Sequence, residues 1–235
     1  MIKRIAHRGD SHTYPQNTQL SFRQAYLAGC DGIEFDVQLS KDKDMLVFHN
    51  CLLTSRKRLG SVRTVDLQSI DVGDGEQMPL FEEVLKRWGD KLILLIEVKF
   101  YEYQKNENYV GAVTEYLQRA ILDSKLNVES FYILSFYLPF LKKLWSCQTN
   151  WRYVLNHDEK EKSLNFLREN SFLGACCQPI SAMNEEYGAR LHDQNIESYC
   201  YGVNQPYQWR KAINCGANLV MSDKASWIQA QKEGI

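Results

Sequence analysis

The chain of 235 residues carries 28 Lys and Arg against 29 Asp and Glu, a formal net charge of -1, and 44% of its residues are hydrophobic. That apolar share suffices for a packed core and excludes wholesale disorder. The balanced charge gives no general attraction to nucleic acid or to an acidic membrane surface.

The pattern then alternates short β-rich runs with longer amphipathic ones. Residues 3–7 predict a strand. Residues 18–29 predict a helix, with Leu20, Phe22, Ala25 and Tyr26 near one face and Gly29 as its stop. Residues 32–39 form a strand, and 45–49 a short extended piece after the turn Lys41-Asp42-Lys43-Asp44. Residues 50–78 are polar and contain glycine, a loop or small insertion. Pro79 opens a helix to Trp88, and 91–99 is a strong strand. The second half repeats the beat, with strands at 131–136, 151–156, 172–178, 196–202 and 217–221. Helices follow them at 138–146, 159–169, 184–194, 208–214 and 224–232, and a further helix at 109–122 precedes the first of these strands. Counting main strands gives eight βα units. Buried strands alternating with helices imply a parallel sheet wrapped by helices. Eight units in this length fit one (β/α)8 TIM barrel spanning residues 1–235. A doubly wound open sheet is the runner-up. No GxGxxG follows the first strand and no P-loop is present, so nucleotide folds gain no support.

The smaller features read plainly. Arg56-Lys57-Arg58 is a solvated turn, and no stretch reaches the ~18 apolar residues of a membrane span. The first residues, Met1 to His7, lack the apolar core of a secretory signal. Seven cysteines without CxxC or zinc spacing read mostly as buried small residues, and Cys176-Cys177 as strand packing. A cytoplasmic setting is the expectation. His12, His157 and His192 read as surface histidines, and the five tryptophans as packing residues.

Chemistry in such a barrel gathers at the carboxyl ends of the strands. His7 and Arg8 end the first strand, and His49 ends the extended piece. Glu34 and Asp36 sit two apart, so both point to one side of their strand, and Glu97 and Lys99 repeat that spacing. Charges inside strands are costly unless they are paired or bind a metal. Three converging carboxylates imply a hard divalent ion, Mg²⁺ or Ca²⁺.

Ala6-His7-Arg8-Gly9, Pro15-Gln16-Asn17-Thr18, Glu34-Phe35-Asp36-Val37, Val47-Phe48-His49-Asn50 and Ile96-Glu97-Val98-Lys99 together resemble the glycerophosphodiester phosphodiesterase family. The spacing matches that family's HRG, PENT, E-x-D, HD and E-x-K signature. Met78 to Leu85, Ser135-Phe136, Tyr201 to Asn204 and Ser222-Asp223 resemble its later segments. The resemblance implies a barrel that hydrolyses glycerophosphodiesters to sn-glycerol 3-phosphate and an alcohol. It implies Glu34, Asp36 and Glu97 as metal ligands and His7 and His49 as an acid/base pair. Arg8 and Lys99 would face the phosphate, and Tyr201, standing where Trp is usual, would wall the substrate. Gln16 replaces the family's glutamate and Asn50 its aspartate; each removes a charge and keeps a hydrogen-bonding group. A lysophospholipase D-type hydrolase and a catalytically weakened phosphoester-binding barrel are the alternatives. The implied partner is a small-molecule diester, with no nucleic acid and no stable membrane insertion. The oligomeric state stays open, a homo-oligomer included.

Overall fold

A computed structural model of the chain describes residues 1–54, 57–159 and 161–231. In chain order the strands and helices are β1 (Lys3–His7), α1 (Gln19–Leu27), β2 (Gly32–Leu39), β3 (Met45–Val47), β4 (Leu52–Thr54), β5 (Lys57–Arg58), α2 (Thr64–Gln68), α3 (Phe81–Trp88) and β6 (Ile93–Val98). Then come α4 (Glu107–Ser124), β7 (Phe131–Ser135), α5 (Leu138–Trp145), β8 (Tyr153–Asn156), α6 (Leu164–Glu169) and β9 (Leu173–Pro179). The chain closes with α7 (Glu185–Asp193), β10 (Glu197–Tyr201), α8 (Pro206–Asn214), β11 (Leu219–Ser222) and α9 (Ala225–Gln229).

Eight parallel strands run in the order β1, β2, β6, β7, β8, β9, β10, β11, and β1 pairs with both β2 and β11, so the sheet closes on itself. The fold is the closed (β/α)8 barrel that the alternation predicts, and the open-sheet alternative falls. A parity rule organises the strands. Ile5, Leu95, Tyr132, Leu134, Val154, Ala175, Cys177, Tyr199, Leu219 and Met221 fill one buried cluster. These alternate along each strand with residues such as Ile33, Leu94, Ile96, Ile133 and Leu155 of the larger cluster, which includes the helix faces. The smaller cluster is the barrel interior. Continuing its parity past the carboxyl end of each strand names the residues that face the mouth.

Register does the rest. His7 pairs with Glu34 across β1 and β2, and Asp36 with Glu97 across β2 and β6. Strand β3 is antiparallel to β2, with Val47 opposite Val37, and delivers His49 to the same end.

Residues 50–78 are a small insertion rather than a loop. Leu46, Leu59, Val62, Leu67 and Met78 form a satellite core of their own, with Leu53 packed against it. Ser40 and Thr64 hydroxyls meet at 2.8 Å, and Thr64 Oγ1 donates to Asp44 at 2.6 Å, tying the insertion to the barrel. Of the basic turn, Arg56 lies outside the described residues; Lys57 and Arg58 are exposed.

The structure moves several helix ends. Pro79 does not open α3: its carbonyl accepts from Val47 N at 2.9 Å, and the helix starts at Phe81. Helix α6 starts at Leu164, capped by Ser163 Oγ accepting from Phe166 N, so it is shorter than 159–169; Lys160 lies outside the described residues. Helix α9 ends at Gln229; Lys232 is likewise outside. Trp145 is 40% exposed and packs by stacking on Phe172 at 5.1 Å. All seven cysteines are free thiols, five of them buried, Cys176 and Cys177 included. Among the described residues no helix is long and apolar enough to cross a membrane.

Candidate active site

The mouth of the barrel holds a cavity of about 220 Å³ lined by His7, Arg8, Glu34, His49, Glu97, Lys99 and Tyr201, among others. The loop after β1 explains its first two residues. Arg8 and Gly9 both adopt left-handed backbone, φ 58° and 78°, which strains a non-glycine residue. A Cβ on Gly9 would stand 2.4 Å from Ser21 Oγ and 2.6 Å from Ser21 C in helix α1, so glycine alone fits. The turn lets Arg8 N donate to the Glu34 carbonyl at 2.9 Å and to Glu34 Oε2 at 3.1 Å.

Glu34, Asp36 and Glu97 are all buried, and each offers a carboxylate oxygen within 4.8 Å of the others. Lys99 Nζ holds Asp36 Oδ1 at 3.0 Å and Glu97 Oε1 at 2.5 Å; Arg8 Nε holds Asp36 Oδ2 at 3.2 Å. Three carboxylates against two permanent cations leave one negative charge uncompensated. It falls on Glu34, only 1% exposed, whose Oε1 has no hydrogen-bond partner among the described residues. Burial, then the Asp36 charge, push the Glu34 carboxyl up to about 8. Burial pushes Glu97 up as well, against the pull of Lys99. Asp36 is lowered: burial acts against ionisation, but Lys99, Arg8 and His49 outweigh it, helped by Asn17. An all-oxygen donor set with an orphaned buried carboxylate oxygen fits a hard divalent cation.

The two histidines sit in contrasting surroundings. His7 Nδ1 lies 2.6 Å from Asp223 Oδ1, and its Nε2 is 3.8 Å from Glu34 Oε2. Burial works to lower His7, but the bond to Asp223 and the charge of Glu34 raise it above the ordinary histidine value. His49 Nδ1 meets the neutral Asn50 Oδ1 at 2.9 Å. Burial lowers His49 despite Asp36, with Lys99 and Arg8 adding to the fall. Tyr201 stacks beside His7 at 6.2 Å with the rings 26° apart, and its hydroxyl donates to Asp158 Oδ1 at 2.9 Å.

Of the residues expected at the site, all but Asp36 line the mouth cavity; Asp36 is fully buried and held by Arg8 and Lys99, and supporting residues come with them. Asp223, quoted only as part of a late motif, anchors His7; Asn204 Nδ2 donates to Asp223 Oδ2 at 2.6 Å. Asn17, at φ 60°, brackets Asp36, donating to Oδ2 at 2.9 Å and accepting from its N–H at 3.3 Å. Thr18 then caps α1 by accepting from Ser21 N at 3.2 Å, so the two residues after Gln16 have separate physical tasks. Gln38 Nε2 donates to the carbonyls of Phe48, His49 and Asn50, and Tyr101 Oη to that of His49 at 2.6 Å. Together they fix the His49 loop. Inward parity on β7, β8 and β11 would have named Phe136, Asn156, Asp158 and Asp223 in advance. Both residues that differ from the motif make hydrogen bonds here: Gln16 Oε1 accepts from Arg8 Nη1 at 2.8 Å, and Asn50 Oδ1 from His49 Nδ1 at 2.9 Å.

His157 corrects an expectation. It is buried, 4% exposed, because outward parity on β8 turns it under α7. Its Nδ1 donates to the Glu159 carbonyl at 3.1 Å, and Tyr187 Oη donates to Nε2 at 3.3 Å. The neutral ring is fully satisfied, and burial, then Lys162, lower it to about 4. His192 is exposed as expected.

Residues 7–226 match the model of the glycerophosphoryl diester phosphodiesterase family. The uncharacterized protein YqiK of Bacillus subtilis is 26% identical over 244 aligned positions, covering 95% of both chains. A glycerophosphodiester phosphodiesterase of the same organism is 32% identical over 99% of this chain and 87% of its own length. Among solved structures, a phosphodiesterase from Oleispira antarctica in complex with the product sn-glycerol-3-phosphate superposes with a TM-score of 0.85. It is 21% identical, over 97% of this chain and 95% of that one.

Proposed function

Because the chain belongs to the glycerophosphoryl diester phosphodiesterase family, we propose that it hydrolyses glycerophosphodiesters to sn-glycerol 3-phosphate and an alcohol, with one divalent cation, Mg²⁺ or Ca²⁺. The observation that carries this reading is the buried triad Glu34, Asp36 and Glu97, two of whose carboxylates line one cavity together with His7 and His49. Residues 1–235 act as one catalytic domain in this reading, and the free cysteines suit a reducing cytoplasm.

Glu34, Asp36 and Glu97 would hold the cation. When bound, it polarises a phosphoryl oxygen and offsets charge building in the transition state. Arg8 offers a planar fork and Lys99 a point charge to the other phosphate oxygens. His7 is the general acid: its carboxylate neighbours Asp223 and Glu34 favour the protonated ring, which gives its proton to the departing alkoxide. His49, with a neutral partner and two cations nearby, is the general base. It takes the proton of the attacking hydroxyl, either water, which gives glycerol 3-phosphate directly, or the substrate's own glycerol 2-hydroxyl, which gives a cyclic phosphate that water then opens. Tyr201 walls the substrate beside His7.

The alternatives lose support. A lysophospholipase D needs an apolar approach surface, yet Leu59 is buried and Leu53 packs on the satellite core, leaving Leu52 exposed. A weakened binding barrel is disfavoured by the intact hydrogen bonds of Gln16 and Asn50. The test is incubation with glycerophosphocholine, glycerophosphoethanolamine, glycerophosphoinositol and a lysophospholipid, with Mg²⁺, Ca²⁺ or chelator. Release of glycerol 3-phosphate that stops with chelator supports the reading. Release of lysophosphatidate alone favours lysophospholipase D, and retained metal binding without turnover favours the binding barrel.

A further inference from the structure

The β8 side of the mouth has its own chemistry. Strand β8 stands opposite β1 in the barrel order. Inward parity on β8 runs through Val154 to Asn156 and then Asp158. Both residues, with Phe136, line the catalytic cavity and also a second cavity of about 470 Å³. The two spaces therefore share a wall, and a substrate reaching beyond the phosphate meets these side chains.

The sign of that wall is unexpected. Arg8, Lys99 and a bound cation attract a phosphodiester anion, yet Asp158 puts an exposed carboxylate at the same mouth. Tyr201 Oη donates to Asp158 and fixes it there, while Lys162 of the same loop is paired with Glu159 at 2.7 Å. Asn156, 4% exposed, has a side-chain carbonyl without a hydrogen-bond partner among the described residues. Phe136 is 45% exposed, and the Tyr201 ring lines the cavity. Acceptors and aromatic faces together suit a cation, through ion pairing and cation–π attraction. They repel an anionic group, and an uncharged polyol can donate hydroxyl hydrogens to these acceptors but gains neither the ion pair nor the cation–π attraction.

Resting on the hydrolase reading, we propose that Phe136, Asn156, Asp158 and Tyr201 form the subsite for the leaving alcohol, and that Asp158 selects diesters whose alcohol carries a positively charged amino group. The phosphate sits between Arg8 and Lys99, and the alcohol extends across the mouth toward β8, its cationic end against Asp158.

The test is kcat/KM of the full chain with divalent cation on glycerophosphoethanolamine, glycerophosphocholine and the uncharged-headed glycerophosphoglycerol, followed by glycerol 3-phosphate release. The wild type should favour the two cationic substrates about three- to tenfold. Asp158→Asn, which keeps an acceptor for Tyr201, should bring that ratio close to parity, and Asp158→Lys should invert it. A ratio unchanged in both variants, or a wild-type preference for the uncharged substrate, overturns the subsite while leaving the hydrolase reading standing. A wild type that turns over no diester overturns both.

Discussion

His7 Nδ1 and Asp223 Oδ1 lie 2.6 Å apart although 216 residues separate them in sequence. The bond joins the first strand to the turn after the last and exists only because β1 and β11 pair. It places a proton on Nδ1 and turns Nε2 toward the cavity, so that the protonated ring, which the Asp223 carboxylate favours, carries its second proton on the nitrogen facing the substrate.

Asp223 is therefore a positioning residue, and its loss should act through His7. Asp223→Asn should lower kcat/KM by about 10- to 100-fold and move the alkaline limb of the pH profile to lower pH. Without the carboxylate, burial lowers the His7 pKa, so the acid form is lost earlier as pH rises. An unmoved limb would assign Asp223 a purely structural role.

Alanine at His7 or His49 should each reduce turnover about 10²- to 10⁴-fold. Circular dichroism and metal affinity should stay near wild type, since neither ring belongs to the apolar core. Full activity in either variant removes that histidine from the reaction.

Gly9→Ala should destabilise the fold by about 3 kcal/mol, from left-handed backbone plus collision with the Ser21 backbone. Urea denaturation measures it. A loss below about 1 kcal/mol would mean that the Arg8-Gly9 turn relaxes freely.

Stability should fall in acid because of His157. Its folded pKa, about 4, lies below the unfolded value of 6.5, so the unfolded chain binds the proton more readily. This contribution is absent above pH ~6.5 and destabilises progressively as pH falls toward 4, by about 2 kcal/mol at pH 5. His157→Gln should flatten that part of the stability–pH curve; an equal slope in the variant would place the titration elsewhere.

The fold was readable because buried parallel strands are short apolar runs, and each was found within a few residues. Helix ends were harder. The expected helix at 159–169 begins too early, because Ser163 is recognisable as the cap only once its side chain is seen to accept from the Phe166 N–H. The triad was readable because Glu34 and Asp36, and Glu97 on β6, put carboxylates where β-strands should be apolar. Parity past β11 marks Asp223 as facing the mouth, but its task as the anchor of His7 shows only when barrel closure brings the two together. His157 misled for a related reason: it lies between polar Asn156 and Asp158, and only strand parity separates the inward pair from the outward ring beneath Tyr187.

The central claim is that the buried carboxylates serve a cation-dependent phosphodiesterase. Its most direct test is glycerol 3-phosphate release from glycerophosphoethanolamine and glycerophosphocholine by wild type, Glu34→Gln and Glu97→Gln, with calorimetric titration of Mg²⁺ and Ca²⁺ into each protein. The account predicts release that chelator abolishes in the wild type, with metal affinity and activity lost together in both variants. Undiminished release in chelator, or variants that lose metal binding and keep full turnover, would contradict it.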